Sequence, residues 1–382
     1  MLTLVIRFWT RFQEGNEDVK AFSLDFAMDK LLHHSPLDMI CDWPSENGLL
    51  AALSVRLDLE FDRTRHVARE LETVLVQQHL RIAYSIPKHR QYIISGYPSE
   101  PLLAEAAAQA IRRYAGRIWE VPKLLASFAE KGIIKDGRRG RLVMRMMLMI
   151  AYDRAVLRNT APKQFRKFSD GVPVLAFLEE LFQDYTGIVS QSLPDMGPQA
   201  LPQRPLCDAF RNAYVRFTHF GVFDLDTVNS NRACPAFIRG IAMSLDTDNE
   251  SVFDCAIPVI LQDDFIREEI MSVILVRCFV QPFLQESSGE PSELQNVQFF
   301  RTQRNGDERP YIVLNMRLHE EVGVVDCRQA LHPLSAYTIT ECHPRYCIDV
   351  TGLSALRHFS EEKMRITVER LLSNLSRCTT TV

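Results

Sequence analysis

Asp254, a lone acid inside the apolar run "VFDCAIPVIL", is the residue whose type and setting most suggest chemistry. A carboxylate in a buried strand must be paired, hydrogen-bonded or put to use, because its desolvation is otherwise prohibitive. A second apolar run, "SVILVRCFV", follows after a charged, helix-forming stretch. Two neighbouring strands of this kind can build a metal-dependent phosphodiesterase. One brings an Asp, the next an acidic or amide residue, then any residue, then Lys. The acids hold a divalent cation that activates water, and the Lys offsets charge on the attacked phosphate. Asp254, with Glu250 or Asp248 as a further acid, supplies the first half of that pattern. The second half is missing, since Arg277-Cys278-Phe279 stands where acid-x-Lys would be. Arg277 can pair with Asp254 across the strands but cannot ligate a metal, and Phe279 cannot replace a Lys. The expectation is an Asp254 that faces solvent or pairs with Arg277. The competing reading is an active metal-dependent nuclease whose Lys arrives from elsewhere.

Two further clusters bear on function. Arg138, Arg139, Arg141 and Arg145 crowd the start of an apolar helix beside Lys131 and Lys135, where they either contact nucleic-acid phosphates or pair with surface acids. Cys327, His332, Cys342, His343 and Cys347 are close in sequence and of the soft-ligand type. They lack a C-x-x-C knuckle, and Cys342 and His343 are adjacent and so point to opposite faces of a strand. A turn entering a strand with a buried thiol is the simpler reading. Neither a G-x-x-x-x-G-K-[ST] phosphate loop nor a G-x-S-x-G elbow occurs, so neither a P-loop NTPase nor a serine hydrolase is indicated. No cofactor is expected, a divalent metal entering only under the nuclease reading.

The elements that would position these residues change type along the chain. "HVARELETVLVQQHLRIAY", "SGYPSEPLLAEAAAQAIRRY", "VPKLLASFAEKG", "GRRGRLVMRMMLMIAYDRAVLRN" and "VPVLAFLEELF" have helical periodicity, with Ser99 as a candidate cap and Gly132 as a stop. The fourth is apolar around most of its circumference and should be central. "LPDMGPQALPQRP" is dense in Pro and Gly and reads as a linker. Beyond it, "NAYVRFTHFGVF", "VFDCAIPVIL", "SVILVRCFV", "PYIVLNMRL" and "RYCIDVTGL" are β-branched and aromatic runs, with helices at "CPAFIRGIAMSL" and "SEEKMRITVERLLSNL". The expected fold is α+β: a mainly helical region over 1–192, a linker over 193–205, and a mixed-sheet α/β domain over 206–382.

Bulk properties limit the partners. The 382 residues are 46% apolar and 24% charged, enough for one large or two ordinary cores. A net charge of −4 leaves nucleic acid or anionic membrane to be met only through a local basic patch. Nine scattered cysteines point to a reducing cytoplasm or nucleus rather than a disulfide framework. "MLTLVIRFWTRF" is too short, and too interrupted by Arg7 and Arg11, for a signal peptide. It reads as a strand or helix, and its uncapped apolar start suggests that Met1 is an artificial beginning. "LVMRMMLMIAY" is too short for a bilayer crossing, so no membrane partner is expected.

"SIPKHRQYIISGYPSEPLLAEAAA" (Ser85 to Ala108) and "YVRFTHFG" (Tyr214 to Gly221) resemble segments of a large uncharacterised family expanded in mushroom-forming fungi. The likeness runs on through "ESVFDCAIPVILQ" and "RPYIVLNMRL" to "CHPRYCIDVTG", covering the chain from about Asp42 to Gly352. Some members of the family it resembles carry Gln-x-Lys where this chain has Arg277-Cys278-Phe279. The resemblance thus implies a decayed site of the restriction-endonuclease-like fold. Larger proteins similar to these, the Crinkler-like and retrotransposon-hot-spot-like proteins, join an NTPase module to a nuclease module. The expected function is non-catalytic binding of nucleic acid or protein inside the cell. The active nuclease and a pure protein-interaction scaffold are the alternatives.

Overall fold

The computed structural model describes residues 16–33, 45–89, 91–113, 120–135, 139–159, 171–195, 203–245, 253–262, 266–279, 299–300, 308–318, 323–327 and 343–373. The fold is α+β, with helices first and a mixed sheet later. The chain divides into two compact units at Lys135/Asp136 rather than at the Pro/Gly-rich segment.

The first unit is built from α1 (Glu17–Leu32), α2 (Glu46–Leu57), α3 (His66–Gln78), a hairpin of β1 (Ile82–Ser85) and β2 (Ile94–Gly96), α4 (Pro101–Arg113) and α5 (Glu120–Glu130). Helix α2 is buried along nearly its whole length and packs against α1 and α4, which also pack on each other. Helix α3 stops at Gln78, short of the helical pattern reaching Ile82. Leu80 turns left-handed (φ 59°) and the chain enters β1, which suits β-branched Ile82. At the start of α4 a Glu100 side-chain oxygen accepts from Leu103 N–H at 2.7 Å, a capping bond one residue past the candidate Ser99. Glu72, fully buried, accepts from Ser95 Oγ at 2.6 Å and pairs with Arg63 and Arg81, tying α3 to the hairpin. Arg81 lies over the Phe61 ring at 4.7 Å, so its stem is packed as well as its charge paired.

The second unit opens with α6 (Arg139–Asn159), buried around most of its circumference as its composition predicts. It continues with β3 (Val172–Pro173), α7 (Val174–Leu181), α8 (Leu206–Ala209), β4 (Tyr214–Val215), β5 (His219–Phe223), α9 (Ser230–Arg239), β6 (Ile241–Leu245), β7 (Cys255–Ile260) and β8 (Met271–Phe279). It closes with β9 (Tyr311–Arg317), β10 (Val324–Cys327), β11 (Arg345–Thr351) and α10 (Glu362–Ser373). The described strands form one nine-stranded sheet. Its main path runs β10-β11-β9-β8-β7-β4-β3, and β6, paired with β7 and β5, branches from it. Strands β8, β9 and β11 form a parallel block, while β7 lies antiparallel to β8.

"CPAFIRGIAMSL", expected to be one helix, is two elements. Gly240 ends α9 in the left-handed conformation (φ 67°), and the remainder becomes buried strand β6. A Cβ at Gly240 would also lie 3.1 Å from Thr218 Oγ1. Gly240→Ala is therefore expected to cost about 1–2 kcal/mol, read as a lowered urea midpoint with an unchanged m-value.

The segment 193–205 is not a boundary between domains. Its described ends are pinned to β11. Asp195 forms a two-pronged ion pair with Arg345, at 3.0 and 2.8 Å, and Tyr346 Oη donates to the Arg204 carbonyl at 2.8 Å. The second unit thus takes in α6 and α7, which the helical pattern had grouped with the N-terminal region.

Alternation along the parallel block sets two distinct faces. Met271, Val273, Leu275, Tyr311, Val313 and Cys347 join Ala233, Ala236 and Phe237 of α9 in one apolar cluster. The opposite face of β8, carrying Ile274, Val276 and Cys278, looks toward α6, where Cys278 Sγ meets the Gly140 carbonyl at 3.7 Å.

Candidate functional site

Asp254 precedes β7 at a bend in the chain. Its backbone is held between two strands: its N–H donates to the Val276 carbonyl at 2.8 Å and its carbonyl accepts from Leu245 N–H at 3.0 Å. Because of the bend, the carboxylate swings to the α6 side rather than lying beside Arg277. Oδ1 accepts from Arg141 Nε at 2.8 Å, and Oδ2 accepts from the Cys278 backbone N–H at 2.7 Å. The second bond has a structural logic. Strand β7 does not extend far enough to offer Cys278 N–H a backbone acceptor, and the carboxylate takes its place. Only 10% of the Asp254 side chain and 25% of the Arg141 side chain reach solvent.

The expected Asp254–Arg277 pair is therefore replaced by Asp254–Arg141. Arg277 is on the other face of β8, its guanidinium 4.8 Å from the centre of the Phe279 ring. Glu250 and Asp248 lie outside the described residues, as does Arg138. The described arginines of the cluster are engaged within the fold rather than simply solvated. Arg139 is 3% exposed, Arg141 is spent on Asp254, and Arg145 donates to Ser244 Oγ and sits over the Phe220 ring. Cations at a helix start are disfavoured by the dipole. Here Asp254 offsets that cost.

Two thiols line the same face. Burial pushes the Cys255 thiol up to about 12, Asp254 adding to the shift and Arg145 opposing it. Burial also raises Cys278, again with Asp254 adding, while Arg141 opposes. Both are held as neutral thiols at physiological pH, unsuited to nucleophilic or ligand chemistry.

A divalent cation does not fit this constellation. Both Asp254 oxygens are engaged by donors, one of them a guanidinium, and Arg277-Cys278-Phe279 brings no second carboxylate. The described members of the Cys/His group do not gather either. His343 Nδ1 accepts from Arg309 N–H while its ring stacks on Phe300, and Cys347 Sγ accepts from Asn315 Nδ2. His332 and Cys342 lie outside the described residues. Among the described residues no group of three His, Cys, Asp or Glu side chains could hold a metal. No described helix is long and apolar enough to cross a membrane.

A second polar constellation was not singled out from the sequence. On the α9-facing side, each strand of the parallel block turns from apolar to polar at one level. Val313 is followed by Asn315, Leu275 by Arg277 and Cys347 by Asp349, and these three polar residues are register partners across β9, β8 and β11. Asn315 Nδ2 donates to Asp349 Oδ1 at 2.8 Å. One step further on, Phe279 of β8 pairs with Arg317 of β9, whose guanidinium is 5.5 Å from the Phe279 ring centre. Period-two spacing in "VLNMRL" marks Asn315 and Arg317 as sharing a face, but only strand pairing brings them to Arg277.

No curated protein matches the sequence, and no solved structure matches the fold. One family model does match, described as Domain of unknown function (DUF8736) and spanning residues 45–281. It begins at the cap of α2 and ends just past β8, taking in Arg141, Asp254 and Arg277 but not β9 or β11. Since it accounts for more than half of the chain, this protein belongs to the DUF8736 family.

Proposed function

We propose that this chain is a non-catalytic nucleic-acid-binding protein of the cytoplasm or nucleus, with a decayed nuclease-like position on its sheet. The observation that carries the reading is the closure of Asp254 by Arg141 and Cys278 N–H, which leaves neither carboxylate oxygen for a cation. Residual cationic groups are the natural remnant of a site that once met phosphates, and Arg277 occupies the strand position next to that lost chemistry. The described cysteines are all free thiols, in keeping with a reducing compartment.

The test is to incubate the purified full chain with single- and double-stranded DNA and RNA, with and without magnesium or manganese. Expected are no cleavage under any condition and binding that weakens steeply as salt rises. Metal-dependent cleavage abolished by Asp254→Ala would replace this reading with the active nuclease. Absence of salt-dependent binding to all four nucleic acids would leave a protein-interaction scaffold.

A further inference from the structure

We propose that Arg277 and Arg317 form a clasp for one phosphate group at the carboxyl ends of β8 and β9. The clasp rests on the nucleic-acid reading for the source of its ligand, not for its chemistry. Both guanidiniums share the Phe279 ring, at 4.8 and 5.5 Å, and both residues are partly exposed. The separation of the two charges is thus at most comparable to a Debye length at 0.1 M salt, about 10 Å. Neither guanidinium has a hydrogen-bond or ion-pair partner among the described residues.

Two neighbouring cations repel each other, and a shared ring offsets only part of that; among the described residues no carboxylate pairs with either. The acid on the same row, Asp349, is two strands from Arg277, with Asn315 between them and bonded to it. Contact with the Phe279 ring restrains both guanidiniums without using their N–H groups, which can then donate to phosphate oxygens as arginine forks do. The carboxyl ends of parallel strands are also where open α/β sheets place ligand crevices.

The ligand chemistry is a phosphate oxyanion, from either a nucleic-acid backbone or free phosphate. Binding of a labelled single-stranded oligothymidine is measured for the full chain and for the R277Q/R317Q variant across a salt series. In parallel, the thermal midpoint of each is measured in inorganic phosphate against chloride at matched ionic strength. The clasp predicts that the variant loses ten- to hundredfold in oligonucleotide affinity and that its salt slope falls by about 0.7. It also predicts that phosphate raises the midpoint of the parent protein and not of the variant. R277K, which keeps charge and stem but not the fork, should fall between them.

Phosphate stabilisation lost in the variant, with no oligonucleotide bound by either protein, would uphold the clasp and remove the nucleic-acid reading. Oligonucleotide bound equally by both, with no phosphate effect on the parent, would overturn the clasp and leave that reading intact. No phosphate effect and no oligonucleotide binding would overturn both. Where the double variant fails to fold, R277K decides the matter: a phosphate response equal to that of the parent overturns the clasp, and a reduced one upholds it.

Discussion

Replacing Asp195 with Ala is expected to destabilise the second unit by about 3–5 kcal/mol, the usual cost of stranding one partner of a buried ion pair. Arg345 and Asp195 side chains are only 9% and 8% exposed, and the pair is two-pronged. Removal of the carboxylate leaves a nearly buried guanidinium without its partner. A further bond, from Asp195 N–H to the Arg345 carbonyl at 2.8 Å, holds the backbone of the two residues together and would loosen with the side chain. Hydrogen exchange should show the loss first in β11 and β9, because Arg345 opens β11 and pairs in register with Tyr311. Asp195→Leu combined with Arg345→Met should recover much of the stability, since an apolar pair avoids the desolvation cost altogether. An unchanged unfolding midpoint for Asp195→Ala would instead restore residues 193–205 to the role of a loose linker.

Asp254→Ala is expected to cost about 2–3 kcal/mol, somewhat less because Arg141 keeps a route to water. Two charge-assisted bonds disappear, and Cys278 N–H is left without its acceptor at the end of the β7–β8 ladder. For a unit of this size the thermal midpoint should fall by about 5–10 °C. Asp254→Asn should be milder, because its amide oxygen can still accept from Cys278 N–H. A double-mutant cycle with Arg141→Met should return a coupling of at least about 1 kcal/mol, whereas the same cycle with Arg277→Met should return none. Coupling to Arg277 instead of Arg141 would mean that the carboxylate lies on the other face of the sheet. A catalytic aspartate often shows the opposite behaviour, since removing it from a cluster of acids can stabilise the fold.

These two results bear on one question, which is whether acidic residues here act as ligands or as structural ties. Asp195 and Asp254 each hold an arginine from a distant stretch of chain, Arg345 and Arg141 respectively. The chain therefore uses its buried carboxylates to join elements. Arg277 and Arg317, whose guanidiniums have no ion-pair partner among the described residues, stand apart from that scheme, which is why they are the better place to look for a ligand.

Local pattern alone determined most of the elements. The apolar circumference of "LVMRMMLMIAY" marks a central helix, and the β-branched runs around Cys255, Ile274, Ile312 and Ile348 are strands because such side chains suit a pleated, buried surface. Helix ends were less legible. Nothing in the spacing of "HVARELETVLVQQHLRIAY" announces that Leu80 turns left-handed, and Gly240 was readable as a stop only by weighing one residue against a long helical run. The anomaly at Asp254 was also visible, since a single carboxylate among apolar residues demands a partner.

Which partner was a matter for tertiary structure alone. Strand alternation places Arg277 nearest in sequence terms, but a one-residue bend ahead of β7 sends the carboxylate to the opposite face, where Arg141 waits 113 positions earlier in the chain. The same holds for Asp195 with Arg345, 150 positions apart, and for the meeting of Arg277 with Arg317 over one ring. Periodicity reports the face a residue occupies within its own element. Pairing between elements depends on register and crossover, which no local run of residues encodes.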